Sequence, residues 1–248
     1  MSEFDYFAPT PIQISIERTV EREYTPISAL QHGSPIEFSI SGSDRVYMDV
    51  NRSSLYIKAK ITTAAGAALN NATTVGPIKN TLDSLWSHVG FELCGVELSD
   101  PNGLYAYRAY LETLLTYNKE VKDTQLKLAL WVKDTAGQMN VTDPGGANTG
   151  LTTRAAFFGA REVEMIGRPH IDIFHQPLLI PANCSMKLKF IPNKDNFILK
   201  TAAPGGTNVQ EQYKFVITEA RLVIPTVEIS HSLALAHEKL LHGGTNAR

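Results

Sequence analysis

The sequence predicts an all-β fold, a sandwich of seven or eight short strands decorated with helices, and three observations carry that expectation. Leu55, Ile57, Ala59 and Ile61 alternate with Tyr56, Lys58, Lys60 and Thr62, the period of a strand with one face in a core. Turn-forming stretches recur between such runs, at Gly42, over 63–76 and over 144–150. Helical spacing is concentrated in one connection instead of falling between successive strands, which argues against a parallel α/β sheet.

Residues 1–26, punctuated by Pro9, Pro11 and Pro26, read as an extended arm of poor amphipathicity, a kind of segment that lies across a neighbour. Residues 35–41 give the first strand, and Gly42 ends it. After the alternating run at 55–62, the Ala/Gly/Asn/Thr stretch at 63–76 is a surface loop by composition. Residues 80–86 are expected to form a short helix. Val89, Phe91 and Leu93 then share one strand face while Val96 and Leu98 fall on the other, so Cys94-Gly95 reads as a β-bulge.

The helical insert occupies about 102–130. Ser99, Asp100 and Pro101 supply cap and first-turn chemistry. Leu104, Tyr107, Leu111, Leu114 and Leu115 follow at helical spacing. The simplest reading of that stripe is core packing of a helix on a sheet, and a subunit contact is compatible with it. Arg108 and Glu112 form an i,i+4 pair on the same helix. Asn118 ends this helix or caps the next, expected over about 119–130. Beyond the glycine-rich loop at 144–150, strands are expected at 161–166, 170–174, 186–190 and 213–224. The last is apolar on both faces, as a central strand is. A helix over about 230–241, with Leu233, His237, Leu240 and Leu241 in one stripe, closes the pattern before Gly243-Gly244.

Composition narrows the function classes. Across 248 residues the net charge is −2, with 43% apolar and 19% charged residues, and no basic stripe of the kind nucleic-acid binding needs. The N-terminal residues are acidic and aromatic, unlike a secretory signal, and no apolar run reaches the ~18 residues of a membrane helix. The sequons at Asn51, Asn71, Asn140 and Asn183 are therefore not expected to be glycosylated. Cys94 and Cys184 belong to no CxxC pair and read as buried free thiols.

No catalytic, cofactor-binding or metal-binding residue is assigned. Asp134-Thr135-Ala136-Gly137 approaches the Asp-Thr-Gly turn of aspartic proteases, but Ala136 spoils the spacing, and a polar turn is the plainer reading. His170 and Asp172, two apart on the expected strand, share a face where a carboxylate orients an imidazole, with no nucleophile motif beside them. His170 and His175, five apart on a strand, point to opposite faces, which argues against a two-ligand metal site. His231 and His237 lack an acidic partner in register, against a cupin-like enzyme. Residues 143–150 lack the Lys-Ser or Lys-Thr of a P-loop.

Several blocks resemble a known family. PTPIQISIERTVEREYTPI and GSPIEFSISGSDRVYMDVNRSSLYIKAKI resemble the opening of the major capsid proteins of the Polinton/Maverick and adintovirus group. VGPIKNTLDSLWSHVGFELCGVEL, YRAYLETLLTYNKEVKDTQL, ALWVKDTAGQM, RAAF, GRPHIDIF, FIPNKDNFIL and SHSLALAHEKLL continue the likeness in order, YRAYLETLL being its most specific piece.

The resemblance implies an eight-stranded antiparallel jelly-roll sandwich, two four-stranded sheets facing each other, over 27–229. The helical insert and a C-terminal helix and tail at 230–248 would decorate it. It also implies no enzymatic activity and no cofactor. The implied partners are further copies of the chain, as a homotrimeric capsomer, and other capsid proteins, with no direct nucleic-acid binding and no membrane span. The implied location is the virion, after synthesis inside a cell without secretion. In that family a second jelly roll follows the segment matched here, so the match is to the first half. A stand-alone single jelly roll, and a carbohydrate- or ligand-binding jelly-roll module, are the alternatives.

Overall fold

A computed structural model describes residues 15–69, 74–99, 102–202 and 212–242. Antiparallel sheets dominate it. In chain order the strands are β1 (Ile16–Tyr24), β2 (Ile36–Ile40), β3 (Val46–Met48), β4 (Ser54–Thr63), β5 (Val75–Pro77), β6 (Trp86–Leu93) and β7 (Val96–Glu97). After the insert come β8 (Val163–Gly167), β9 (Met186–Pro192), β10 (Leu199–Thr201) and β11 (Tyr213–Ile229). One sheet runs β1-β11-β4-β8 with β3 also paired to β11, and a second runs β2-β9-β6-β7. A two-stranded ribbon, β10-β5, lies apart from both. All described strand pairs are antiparallel.

The inward residues of the two large sheets merge into one core. Leu55, Ile57, Ala59, Ile61, Leu222 and Ile224 supply one wall, and Ile36, Phe38, Val89, Phe91, Leu188 and Phe190 supply the other. Phe190 ties the second wall together, meeting Phe38 edge-on at 5.9 Å and Trp86 at 5.0 Å between ring centroids. The predicted alternation of 55–62 is thus a sandwich strand.

The sheets are five- and four-stranded, not four and four, because β11 is long. Its 17 residues outrun β4, whose pairing stops at Val223, and β3 takes up Thr226–Glu228 beyond it. The other side of β11 pairs with β1, from Tyr24↔Leu222 to Ile16↔Ile229. Residues 16–24 of the expected arm are therefore a strand of this sheet, and residues 1–14 lie outside the described residues. β1 is charged and almost wholly exposed, a composition that discourages edge-to-edge pairing. Arg221–Glu23 and Arg45–Glu17 ion pairs fasten it.

Three further expectations change. Cys94 and Gly95 both take positive φ (49° and 82°) and join β6 to β7 with Leu93 opposite Val96, so this is a two-residue hairpin turn, not a bulge. Of the expected loop at 63–76, residue 63 ends β4, 75 and 76 belong to β5, and 70–73 fall outside the described residues. Residues 170–174 are not a strand: Asp172–His175 form one 3-10 turn.

The helices are α1 (Thr81–Ser84), α2 (Tyr105–Thr116), α3 (Lys119–Asp123), α4 (Thr149–Phe158), α5 (Asp195–Ile198) and α6 (His231–His242). α6 rests on β3 through Tyr47, whose hydroxyl meets His237 Nδ1 at 2.7 Å. Leu240 is exposed, so the expected α6 stripe is only partly covered.

Candidate functional site on the helical insert

α2 follows a loop in which Asn102 Oδ1 accepts from the Leu104 amide. Asp100 and Pro101, expected as cap residues, fall outside the described residues. The helix ends at Tyr117, whose extended backbone turns the chain, and Asn118 caps α3 by accepting from Val121 N at 3.0 Å. Lys122 Nζ reaches back to the Leu114 carbonyl and satisfies part of the last turn of α2. The rest of the expected second helix, Gln125–Ala129, is 3-10.

The buried face of α2 carries Tyr105, Ala106, Ala109 and Thr113. The stripe first read as core points the other way: Leu111 is 54% and Leu115 81% exposed, with Leu104, Tyr107 and Leu114 also exposed. Alanines let the helix backbone approach α1 and β6 closely, so the large residues remain outside. Two faces of α2 are apolar, and among the described residues only one of them is covered.

Between the exposed stripe and the 170–176 segment lies a cleft of about 680 Å³, walled by Phe91, Leu98, Tyr107 and Leu111. Tyr105, Arg108, His170 and Asp172 line it, and the polar network they belong to joins α1, α2 and the 170–175 segment. Arg108 Nε donates to Glu112 Oε1 at 2.7 Å, and its Nη2 donates to Asp172. His170 Nδ1 lies 2.8 Å from Glu112 Oε2, and its Nε2 faces Thr113 Oγ1 at 3.4 Å and Asp83 Oδ2 at 3.7 Å. The Tyr105 hydroxyl accepts from the His170 amide and donates to Asp83. The His170 and His175 rings sit with centroids 5.5 Å apart.

Electrostatics divide these groups. Burial pushes the Asp83 carboxyl up, against the pull of His170. Burial likewise raises the Tyr105 hydroxyl well above its ordinary value. Glu112 is lowered: burial opposes its charge, but the hydrogen bonds from Arg108 and His170 outweigh it. His175 is lowered by desolvation, then by the nearby Arg168 and His170.

Asp172 therefore pairs with Arg108, and Glu112 takes the place at His170 that the sequence reading gave to Asp172. The expectation that His170 and His175 face apart fails because the 3-10 turn folds the second ring back beside the first. Asp134 lies elsewhere, bonded to Arg154 and Asn148. Residues 144–148 lead into α4, where Asn148 caps the helix through Leu151 N.

No known family's sequence profile matches the chain. An uncharacterized protein of Caenorhabditis elegans is 24% identical over 215 residues, covering 84% of this chain and 48% of that protein. Among solved structures, the Faustovirus major capsid protein superposes with a TM-score of 0.59 at 13% identity, over 95% of this chain and 58% of that one. The fold is a viral capsid protein fold. The Sputnik virophage structure (TM-score 0.57, 10% identity) and the PBCV-1 virus capsid (0.53, 10%) each cover 93% of the chain and 51% and 47% of their own. The chain thus spans about half the length of the proteins it matches.

Proposed function

We propose that this chain is a structural capsid subunit that works by self-assembly, as the first jelly roll of a double-jelly-roll major capsid protein of the Polinton and adintovirus kind. In this reading three copies form a capsomer, capsomers tile a shell, and the protein resides in the virion with other capsid proteins. Residues 230–248 would lead toward the second jelly roll. The chain would do no chemistry and make no direct contact with nucleic acid.

One observation carries the reading: a capsid-type sandwich presents an uncovered apolar helix face. Leu104, Tyr107, Leu111, Leu114 and Leu115 stand together on α2, and Val96 and Leu98 on the neighbouring hairpin are exposed as well. Contiguous apolar surface of this sort marks an interaction site more often than isolated exposed residues do. Burying each leucine in a neighbour is worth roughly 1.5–3 kcal/mol.

Sedimentation of the purified chain across a wide concentration range tests this. Discrete trimers or larger closed assemblies are expected. The Leu111→Asp/Leu115→Asp double variant is expected to keep its thermal transition and lose assembly. A strictly monomeric wild type, or assembly indifferent to both substitutions, would overturn the reading.

A further inference from the structure

We propose that Glu112, His170 and His175 form a divalent-cation site, suited to Zn²⁺, that pins α2 to the 170–176 segment. One ligand atom from each residue lies within 4.8 Å of the other two. Tetrahedral zinc with bonds of about 2.0–2.2 Å needs its ligand atoms roughly 3.4 Å apart. Glu112 Oε2 and His170 Nδ1 are 2.8 Å apart, a hydrogen bond whose proton a cation would displace as the pair opens slightly, and His175 is exposed. Two imidazoles and one carboxylate favour zinc-like ions over magnesium or calcium, which prefer all-oxygen sets.

The surroundings are those of a supported ligand set. A metal-bound histidine generally directs its second nitrogen to a carboxylate or another acceptor, which fixes the ring. His170 Nε2 faces Thr113 Oγ1 and the buried Asp83 carboxylate, and Tyr105 holds Asp83 in place. Arg108 holds Glu112 by its Oε1, leaving Oε2 for the cation.

Two cations oppose the site, Arg108 and Arg168. Arg108 is balanced by Asp172 and Glu112. The Arg168 guanidinium donates to Asn51 and Tyr117, with no carboxylate among these partners. Micromolar affinity is therefore expected, weaker than that of a closed structural zinc site. This inference does not depend on assembly, because a trimer and a monomer carry the same three ligands.

The test uses the untagged chain, stripped with a chelator and titrated with Co²⁺. One equivalent is expected to raise visible d–d absorption, to be displaced by Zn²⁺, and to raise the thermal transition. His175→Ala, on an exposed ring, keeps the fold and should weaken Co²⁺ binding by about tenfold or more, as should Glu112→Gln. His231→Ala should change nothing. Absence of the bands in the wild type, or full-strength binding in His175→Ala, overturns the site.

Discussion

The Arg154 guanidinium is wholly buried and meets the Asp134 carboxylate, Nη2 to Oδ1, at 2.7 Å. Its Nε donates to the Pro77 carbonyl at 2.8 Å and its Nη1 to that of Val132. Asn148 Nδ2 donates to the same Asp134 oxygen at 2.9 Å. One side chain thus joins α4, the β5 ribbon and the segment after the helical insert. Gly150 lies so near the Lys133 carbonyl that a Cβ would collide with it, which keeps α4 tight against this strut.

Asp134→Ala is expected to cost about 3–5 kcal/mol, because it leaves a buried guanidinium without its counter-charge. Arg154→Met should cost less, since Asp134 is 15% exposed and keeps Asn148. Urea unfolding of the two variants measures the difference. Equal losses, or a loss below about 0.5 kcal/mol for Asp134→Ala, would show that the pair is not the strut it looks to be.

Asp83 gives the fold a pH dependence of definite sign. Burial raises its carboxyl above the ordinary 3.8, so the folded state holds the proton more tightly than the unfolded state. Its contribution is complete below about pH 3.8 and is lost as pH rises through the folded value. Each tenfold difference in proton affinity is worth about 1.4 kcal/mol. Glu112, lowered in the fold, works oppositely and loses its contribution as pH falls. Comparison with Asp83→Asn isolates the first effect. The variant's stability relative to wild type should climb as pH rises above about 3.8, and a difference that stays flat would refute the assignment.

How legible the molecule was depended on whether one face of an element was buried and the other wet. β4 met that condition, with Leu55, Ile57, Ala59 and Ile61 all buried and the lysines between them less so, and its alternation was plain. α4 met it in disguise. Leu151, Arg154, Ala155 and Phe158 occupy i, i+3, i+4 and i+7 on its inner face, but an arginine in that series hides the stripe. α2 failed differently, since both faces are apolar and size misled: the small residues pack inward and the leucines do not. Residues 170–174 looked like a strand, yet Asp172–His175 wind into a 3-10 turn that buries Phe174 and leaves Ile173 partly buried. The polar floor of the cleft was illegible for a related reason. Its residues come from α1, α2 and the 170–175 segment, and only the fold brings them together.

The two cysteines, expected to be buried, are exposed at Cys94 and half-exposed at Cys184, and their thiols interact. Desolvation, then the neighbouring Cys94 thiol, pushes the Cys184 thiol up to about 11. The reactive species is the thiolate, so at neutral pH almost none of Cys184 is available for alkylation. Cys94 stands on the exposed hairpin turn with no such burden of burial. Iodoacetamide at neutral pH is therefore expected to label Cys94 well ahead of Cys184, as peptide mass spectrometry reads site by site. In Cys94→Ser the thiol neighbour becomes a hydroxyl, and Cys184 should label faster than in the wild type though still slowly, because desolvation remains. Equal labelling of both sites in the native chain would mean that Cys184 is neither desolvated nor held by its neighbour.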